Sequence, residues 1–361
     1  MKFIDEFRRG DVARHLVKQI RDASENTPMT FMEVCGTHTM CMAKFGIRQL
    51  IPEHIRLISG PGCPVCVTPN RIVDYAVALS RQSGVIVTTF GDMMKVPGSS
   101  SNLDREHARG GDVKIVASTL EALNIAKENP DKTVVFLGVG FETTVPTIAA
   151  SLMEAKQRGI PNYHVLAANK VMPEAMEALS QGDVKIDGYL CPGHVSAIIG
   201  SKPYEFLADR YGLACVIGGF EPLDILQSIL MLVKQVANHQ PRVDIQYSRV
   251  VTPDGNPKAR EVVYSVFESC DSEWRGIGTI PESGLKIRRE FSDWDADVRC
   301  SVDVEPTREP KGCLCGQVLQ GKVKPSACRH FGKTCTPGNP VGPCMVSSEG
   351  TCAAYYKYQL S

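Results

Sequence analysis

The sequence lacks the features of an exported, membrane-spanning or nucleic-acid-binding protein. Its longest apolar stretches, residues 133–140 and 228–233, fall far short of the roughly 20 residues that a membrane-spanning helix needs. The N-terminal region carries charges throughout and has no apolar core typical of a secretion signal. Lys and Arg together number 40, as do Asp and Glu, and no long run has one sign. We therefore expect a soluble cytoplasmic protein that binds neither membrane nor nucleic acid.

Charged residues are also too few for a disordered chain. Only 22% of the 361 residues are charged and 43% are hydrophobic, which is the composition of a globular protein. The length exceeds that of a usual single domain and predicts two or three domains with sizeable cores.

Short apolar runs alternate with helical periodicity between about residues 30 and 225, a pattern typical of a parallel sheet covered by helices. Strands are predicted at 57–60, 84–90, 133–139, 162–168, 186–191 and 213–219, and helices at 71–82, 119–129, 145–159 and 172–180. The predicted fold class is α/β. Several predicted strands lead into Gly-rich turns, which in such sheets line the ligand crevice.

The order of motifs predicts two related α/β domains and a third, Cys-rich domain. Similar Gly- and Pro-rich motifs recur in the two halves of the α/β region, although Gly and Pro punctuate any parallel sheet in this way. Beyond it, residues 241–267 resemble a hairpin around the turn signal at 253–256. The predicted units are an N-terminal helix at 1–29 that packs on the third domain, α/β domains at 30–120 and 121–225, and the third domain at 226–361.

The 14 cysteines are informative because a reducing compartment seldom uses cysteines as structural disulfides. Ten of them fall in two groups, one early and one in the tail. We assign no chemistry to the scattered remainder, Cys191, Cys215, Cys270 and Cys300, because a buried thiol usually acts as a small apolar side chain.

The early group predicts a thiolate site on loops. Cys63 and Cys66 form a C-x-x-C pair between Gly and Pro residues, which suits either a redox dithiol or a soft metal. Cys35, at a predicted strand end, adds a third thiol and favours a metal, with His38 as a ligand or a donor behind it. The alternative is a structural zinc site closed by these three cysteines and Cys41.

The tail group predicts an iron-sulfur cluster. Six thiols lie within about 40 residues, at Cys313, Cys315, Cys328, Cys335, Cys344 and Cys352. A [4Fe-4S] cluster takes four, and a remaining dithiol would couple one-electron to two-electron chemistry. The alternative is a zinc ribbon, but ribbons normally show two C-x-x-C knuckles and the tail has none.

Five motifs together resemble the HypD family of hydrogenase maturation factors. They are CGTHT at 35–39, GPGCPVC at 60–66, CPGHVS at 191–196, GGFEPLDIL at 218–226 and the six-cysteine tail. The resemblance spans nearly the whole chain. One departure is Met40, where we expect a histidine in many relatives.

The resemblance implies a scaffold on which the Fe(CN)2(CO) unit of [NiFe]-hydrogenase is assembled. It implies that a HypC-family chaperone shares the iron and that HypE, with HypF upstream, supplies cyanide as a sulfur-bound thiocyanate. Cys35, Cys63 and Cys66 would hold a transient mononuclear iron, since soft thiolates suit iron that carries cyanide and CO.

The tail would supply the two electrons that release cyanide from a thiocyanate. Enzymes that pair a cluster with an exchangeable disulfide suggest how the six thiols are divided between cluster ligands and a redox pair. The cluster ligands would be Cys313, Cys328, Cys335 and Cys352, and the redox pair would be Cys315 and Cys344. Spacing alone permits other divisions.

Four polar residues follow predicted strands and are candidates for proton relay or partner binding: Asp92, Glu142, His194 and Glu221. Helix capping or solvated loop polarity is the alternative for each.

The alternative function is an iron-sulfur-dependent thiol-disulfide oxidoreductase that resembles ferredoxin-thioredoxin reductase and binds no mononuclear iron. A structural zinc protein is a third possibility.

Overall fold

Two parallel β-sheets and one antiparallel hairpin organise the chain, described by a computed structural model over residues 5–359. Residues 1–4 and 360–361 of the predicted terminal units lie outside the described residues. The strands are β1 Met29–Glu33, β2 Ile55–Ser59, β3 Val85–Thr89, β4 Val113–Ile115, β5 Thr133–Gly138, β6 Tyr163–Ala167, β7 Gly188–Cys191, β8 Ala214–Ile217, β9 Val243–Ile245, β10 Phe267–Trp274 and β11 Gly278–Ile287.

Helices connect nearly all the strands. They are α1 Gly10–Ser24, α2 Gly36–Lys44, α3 Ile47–Leu50, α4 Pro64–Val67, α5 Asn70–Ser80, α6 Leu103–Ala108, α7 Thr119–Glu128, α8 Val145–Arg158, α9 Met172–Ser180, α10 Gly193–Ile199, α11 Glu205–Tyr211, α12 Pro222–Ala237, α13 Pro257–Val266, α14 Ala296–Arg299, α15 Cys315–Leu319 and α16 Thr351–Gln359. The six strands and four helices predicted between residues 57 and 219 are confirmed, as β2, β3, β5, β6, β7 and β8 and as α5, α7, α8 and α9.

The α/β class is confirmed, because all neighbouring strands in both larger sheets run parallel. Sheet A has the order β2-β1-β7-β8-β9, and sheet B has the order β4-β3-β5-β6. The two sheets do not correspond to the two α/β domains predicted at 30–120 and 121–225. Sheet A takes its strands from both sides of sheet B in the sequence, whereas sheet B is continuous between residues 85 and 167. The domain boundaries themselves stay a prediction.

The strands of sheet B are covered on both faces, which explains their continuous apolar sequences. Successive side chains of β5 point to opposite faces of the sheet. Val135 and Leu137 enter a large central core, while Val134 and Phe136 enter a second core. The central core also contains Met32 of sheet A and most of the tail cysteines, so the tail packs into the same core as residues of both sheets.

Helix α1 lies along α12 on the other face of sheet A. Its apolar residues recur at helical spacing, and Ile20 is fully buried in a core shared with Phe31 of β1 and Ile225 of α12. Helix α12 spans residue 226, the predicted start of the third domain.

The prediction of a hairpin over 241–267 is wrong. Residues 243–245 form β9, which pairs in parallel with β8, and α13 follows the turn signal. Asn256 ends that turn and caps α13, since its side chain accepts a hydrogen bond from the Ala259 amide at 3.0 Å. The same Asn-containing sequence can therefore begin a helix as well as join two strands. The antiparallel hairpin is formed by the next segment, β10 and β11.

The tail folds back onto the two sheets. Helix α16 packs against α2, and the short 3-10 helix Pro343–Met345 packs against α4. The tail therefore reaches both loops that carry the early cysteines. Within residues 5–359, no helix is both long and apolar enough to span a bilayer.

Replacing Ile20 by Ala should lower the free energy of unfolding by about 2–5 kcal/mol, because a cavity would remain between α1 and sheet A. Replacing the exposed Lys18 of the same helix by Ala should change it by less than about 0.5 kcal/mol. Urea unfolding of both variants measures the difference. Equal stabilities would show that α1 is not part of the cooperative core.

Candidate functional site

The loops that carry Cys35 and the C-x-x-C pair touch each other. Neighbouring parallel strands β1 and β2 end at the same edge of sheet A, and Cys35 immediately precedes α2. The amide of Gly36 donates a hydrogen bond to the carbonyl of Gly62 at 2.9 Å. A Cβ atom at Gly62 would lie only 2.4 Å from the backbone nitrogen of Cys35, so this close approach requires glycine.

Cys63 and Cys66 form a buried thiol pair. Cys63 precedes α4, and its sulfur accepts a hydrogen bond from the Cys66 thiol at 2.7 Å and from the Cys66 amide at 3.4 Å. Burial raises the pKa of the Cys66 thiol well above its usual value. Binding a metal or forming a disulfide at this pair would therefore release protons.

The tail brings a third element to this pair. The Cys344 thiol interacts with the thiols of Cys66, Cys315 and Cys352, and its pKa is raised, first of all by the contact with Cys315. Cys315 also contacts Cys313. These contacts form a continuous thiol row, which runs from the C-x-x-C pair through Cys344 and Cys315 to Cys313.

Five of the six tail cysteines line one small cavity of about 10 Å³. They are Cys313, Cys315, Cys328, Cys335 and Cys352, beside His330, Phe331 and Met345. The four predicted cluster ligands are among the five, whereas Cys344 contacts the C-x-x-C pair instead. The cavity wall is tight at Gly342, where an added Cβ would lie 2.6 Å from the sulfur atoms of both Cys313 and Cys315.

The donor chemistry of this cavity fits an iron-sulfur cluster, because thiolates are the usual ligands of such clusters. In the part of the chain that the structure describes, no group of three or more His, Cys, Asp or Glu side chains is arranged to hold a metal ion. Interactions among the tail thiols raise the pKa values of Cys313, Cys344 and Cys352. The division of the tail cysteines into ligands and redox pair stays a prediction.

His38, His194 and Phe220 bring three of the sequence motifs together. His38 is fully buried, and its Nε2 lies 3.0 Å and 3.2 Å from the carbonyl oxygens of Gly219 and Gly218. Nε2 therefore carries the proton, while Nδ1 is buried without a partner. Burial lowers the pKa of His38 to about 4, so the ring is neutral at neutral pH. His194 stacks on Phe220, with ring centres 4.0 Å apart.

The predicted acidic residues lie in three different settings. Glu221 precedes α12 and pairs with Arg8 at 2.6 Å, in a capping box with Asp224. Asp92 is exposed in the 3-10 helix Gly91–Lys95. Glu142 is buried and accepts a hydrogen bond from the Met172 amide at 2.8 Å.

Glu142 is the most perturbed of these carboxyl groups. Its Oε2 atom is buried without a hydrogen-bond partner, and burial raises its pKa to about 8. The group is therefore held mostly protonated at neutral pH and can donate or accept a proton there.

Sequence reasoning missed Glu349, which covers the Cys35 loop. Its carboxylate accepts a hydrogen bond from the Thr37 hydroxyl at 2.7 Å, and its backbone lies so close to Gly36 that a Cβ there would clash. Burial first, and then the Glu349 charge, raise the pKa of Cys35 to about 12. No sequence spacing connects residues more than 300 positions apart, so only folding shows this contact.

Comparisons with known proteins agree over the whole chain. The family model described as "HypD: Hydrogenase formation hypA family" matches residues 11–359. Hydrogenase maturation factor HypD2 of Bradyrhizobium diazoefficiens is 45% identical, over 99% of this chain and 97% of its own. HypD of Cupriavidus necator has the same identity and coverage. HypD of Escherichia coli is 42% identical over 99% of this chain and 98% of its own.

Glu142 should make the protein less stable as pH rises. Its pKa is raised on folding, so its contribution is fully present below the unfolded pKa near 4.5 and is lost as pH rises towards 8. Glu142→Gln mimics the protonated form and should gain about 1–4 kcal/mol relative to wild type between pH 5 and pH 8. Urea unfolding at both pH values measures this, with the exposed Glu261→Gln as control. A constant difference between Glu142→Gln and wild type would contradict the assignment.

Proposed function

The chain belongs to the HypD family, and from this premise we propose that it is a hydrogenase maturation factor that acts as a scaffold and redox protein. Its cargo is the Fe(CN)2(CO) unit of [NiFe]-hydrogenase. The observation that carries the proposal is the thiol row, in which Cys344 contacts Cys66 on one side and Cys315 on the other. A site for binding iron and a source of electrons are thereby in direct contact.

Cys35, Cys63 and Cys66 would bind the iron as substrate. The three thiols lie on two touching loops at the edge of sheet A, and thiolates are the soft donors that iron with cyanide and CO prefers. The thiols of Cys35 and Cys66 are protonated in the free protein, because burial raises their pKa values. Iron binding would therefore be favoured by rising pH.

Cys313, Cys328, Cys335 and Cys352 would hold a [4Fe-4S] cluster, which supplies electrons one at a time when it is bound. Cys315 and Cys344, whose thiols interact, would form the redox pair. Their oxidation from dithiol to disulfide releases two electrons and two protons.

Oxidation of the redox pair supplies the electrons and the proton that the release of cyanide consumes. Cleavage of a sulfur-bound thiocyanate to a thiol and free cyanide consumes two electrons and one proton. One dithiol supplies both electrons and leaves one proton over. Cys344 interacts with Cys315 on one side and with Cys66 of the C-x-x-C pair on the other. The electrons can therefore pass directly from the redox pair to the C-x-x-C pair.

We further propose that the partners are a HypC-family chaperone, which shares the iron, and HypE, which brings the thiocyanate after HypF has acted. The reduced thiols require a reducing compartment, and we place the reaction in the cytoplasm.

A thiol-disulfide oxidoreductase is the second candidate. The contact of 2.7 Å between the Cys63 and Cys66 sulfur atoms favours it, because such a pair can itself be oxidised to a disulfide. In that function the tail would reduce the C-x-x-C disulfide, and no mononuclear iron would bind.

Infrared spectroscopy separates the two functions. The full chain is purified anaerobically together with a HypC-family chaperone from cells that express the maturation machinery. We expect about one iron beyond the four of the cluster, with absorption bands of bound cyanide and CO. A complex that carries the cluster but neither the extra iron nor these bands would support the oxidoreductase instead.

Replacing Cys66 by Ala should abolish hydrogenase maturation, because it removes a proposed iron ligand and breaks the thiol row. The visible absorption of the tail cluster should remain. The matched control is Cys270→Ala, which changes a half-buried thiol on β10 and should leave maturation unchanged. Full maturation by the Cys66 variant would remove this residue from the site.

The double replacement of Cys315 and Cys344 by Ser should keep four irons and the brown colour but lose thiocyanate reduction, because the redox pair is gone. The single replacement Cys328→Ser should lose the cluster. Iron analysis and cyanide release measure the two properties separately. The opposite pattern, with cluster loss in the double variant and retention in Cys328→Ser, would show that the division of the tail is reversed.

A further inference from the structure

Arg275 is a buried cation whose side chain has no hydrogen-bond partner. The side chain is only 3% exposed, and its three nitrogen atoms are all buried and make no hydrogen bond. The nearest carboxylate is that of Glu309, 3.5 Å from Nε, and Glu309 itself is 59% exposed. A guanidinium stays protonated even when buried, and an ion pair with a carboxylate that is 59% exposed matches this positive charge only in part.

The β10-β11 hairpin places Arg275 against both cysteine groups. Arg275 lies in the turn between the two strands, and its amide donates a hydrogen bond at 2.9 Å to the carbonyl of Val67, next to Cys66. On the other side, Gly276 packs against the backbone of Gly316 so closely that a Cβ would clash. Gln320 also donates a hydrogen bond to the Gly276 carbonyl. The turn is therefore fixed between α4 and α15.

Arg275 shares a cavity with two of the tail cysteines. The cavity has a volume of about 220 Å³, and Arg275, Glu309, Cys313 and Cys315 are among its lining residues. Contact with Cys315 and burial raise the pKa of Cys313, whereas the charge of Arg275 opposes that rise. The guanidinium and the sulfur atoms are thus near enough to interact electrostatically.

We propose that Arg275 is a positioning residue for the tail cysteine site, whose guanidinium pairs with the negative charge on the sulfur atoms of Cys313 and Cys315. This inference rests on the proposed function, in which the site holds a cluster with thiolate ligands. Each electron added to the cluster makes the site more negative, and a fixed positive charge nearby stabilises that reduced state. Arg275 therefore raises the reduction potential and eases the entry of electrons into the thiol row.

Variants of the full chain, loaded anaerobically with iron and sulfide, test this role. Arg275→Gln removes the charge, Arg275→Lys keeps it, and Lys286→Gln removes a charge at the far end of the same hairpin, where Lys286 pairs with Glu268. The readouts are iron content and a redox titration followed by electron paramagnetic resonance.

We expect Arg275→Gln to bind four irons. At a fixed potential, its ratio of reduced to oxidised cluster should be at least tenfold lower than in wild type. For a one-electron couple this corresponds to a reduction potential lower by about 59 mV. Arg275→Lys should shift it less, and Lys286→Gln not measurably. An unchanged potential in Arg275→Gln, or equal shifts in both Arg275 variants, would overturn the charge pairing. A wild-type chain that takes up no cluster would instead contradict the proposed function.

Metal-free chains separate charge pairing from a structural role. Because the buried guanidinium makes no hydrogen bond there and its ion pair is with a largely exposed carboxylate, metal-free Arg275→Gln should unfold at the same temperature as metal-free wild type or above it. Marked destabilisation or failure to fold would show that Arg275 serves the hairpin itself, and would overturn the proposal. If the folded Gln variant takes up no cluster while the Lys variant does, the charge is needed for assembly, which supports the proposal; failure of both overturns it.

Discussion

The contact between Cys66 and Cys344 is the constraint on which the rest of the cysteine site depends. It joins a loop from the edge of sheet A to a tail segment more than 270 residues further along the chain. For the two sulfur atoms to meet, the tail must lie across the carboxyl ends of the strands, with α16 on α2 and the Pro343–Met345 turn on α4. Glycine permits the close approaches of this region: Gly36 to Glu349, Gly62 to the Cys35 backbone, and Gly342 to the sulfur atoms of Cys313 and Cys315.

The environment of the site keeps its groups uncharged. Burial raises the pKa values of Cys35 and Cys66 and lowers that of His38, so thiols and imidazole are all neutral in the free protein. Arg275 is the exception, as a fixed cation that shares a cavity with Cys313 and Cys315. The exposed carboxylate of Glu309 balances that charge only in part, and in our proposal negative charge on the sulfur atoms completes the balance.

The sequence predicted local structure well and long-range contacts poorly. Buried parallel strands have continuous apolar sequences, so β5 and β8 could be located from their residues alone. The order of strands within the sheets could not be, since no local pattern records that β1 pairs with β7. The turn at 253–256 was misread because its residues serve equally well as a helix cap. The cysteine motifs pointed to the site, but Glu349 and Arg275 carry no motif and became visible only through their neighbours in space.

The interleaving of the two sheets has a consequence for synthesis on the ribosome. All strands of sheet B are encoded between residues 85 and 167, so that sheet can form as soon as this stretch has emerged. Strands β1 and β2 are made earlier but must wait for β7, and the tail that completes the thiol row comes last. A nascent chain therefore exposes its C-x-x-C thiols without their tail partners until the tail segment has also emerged.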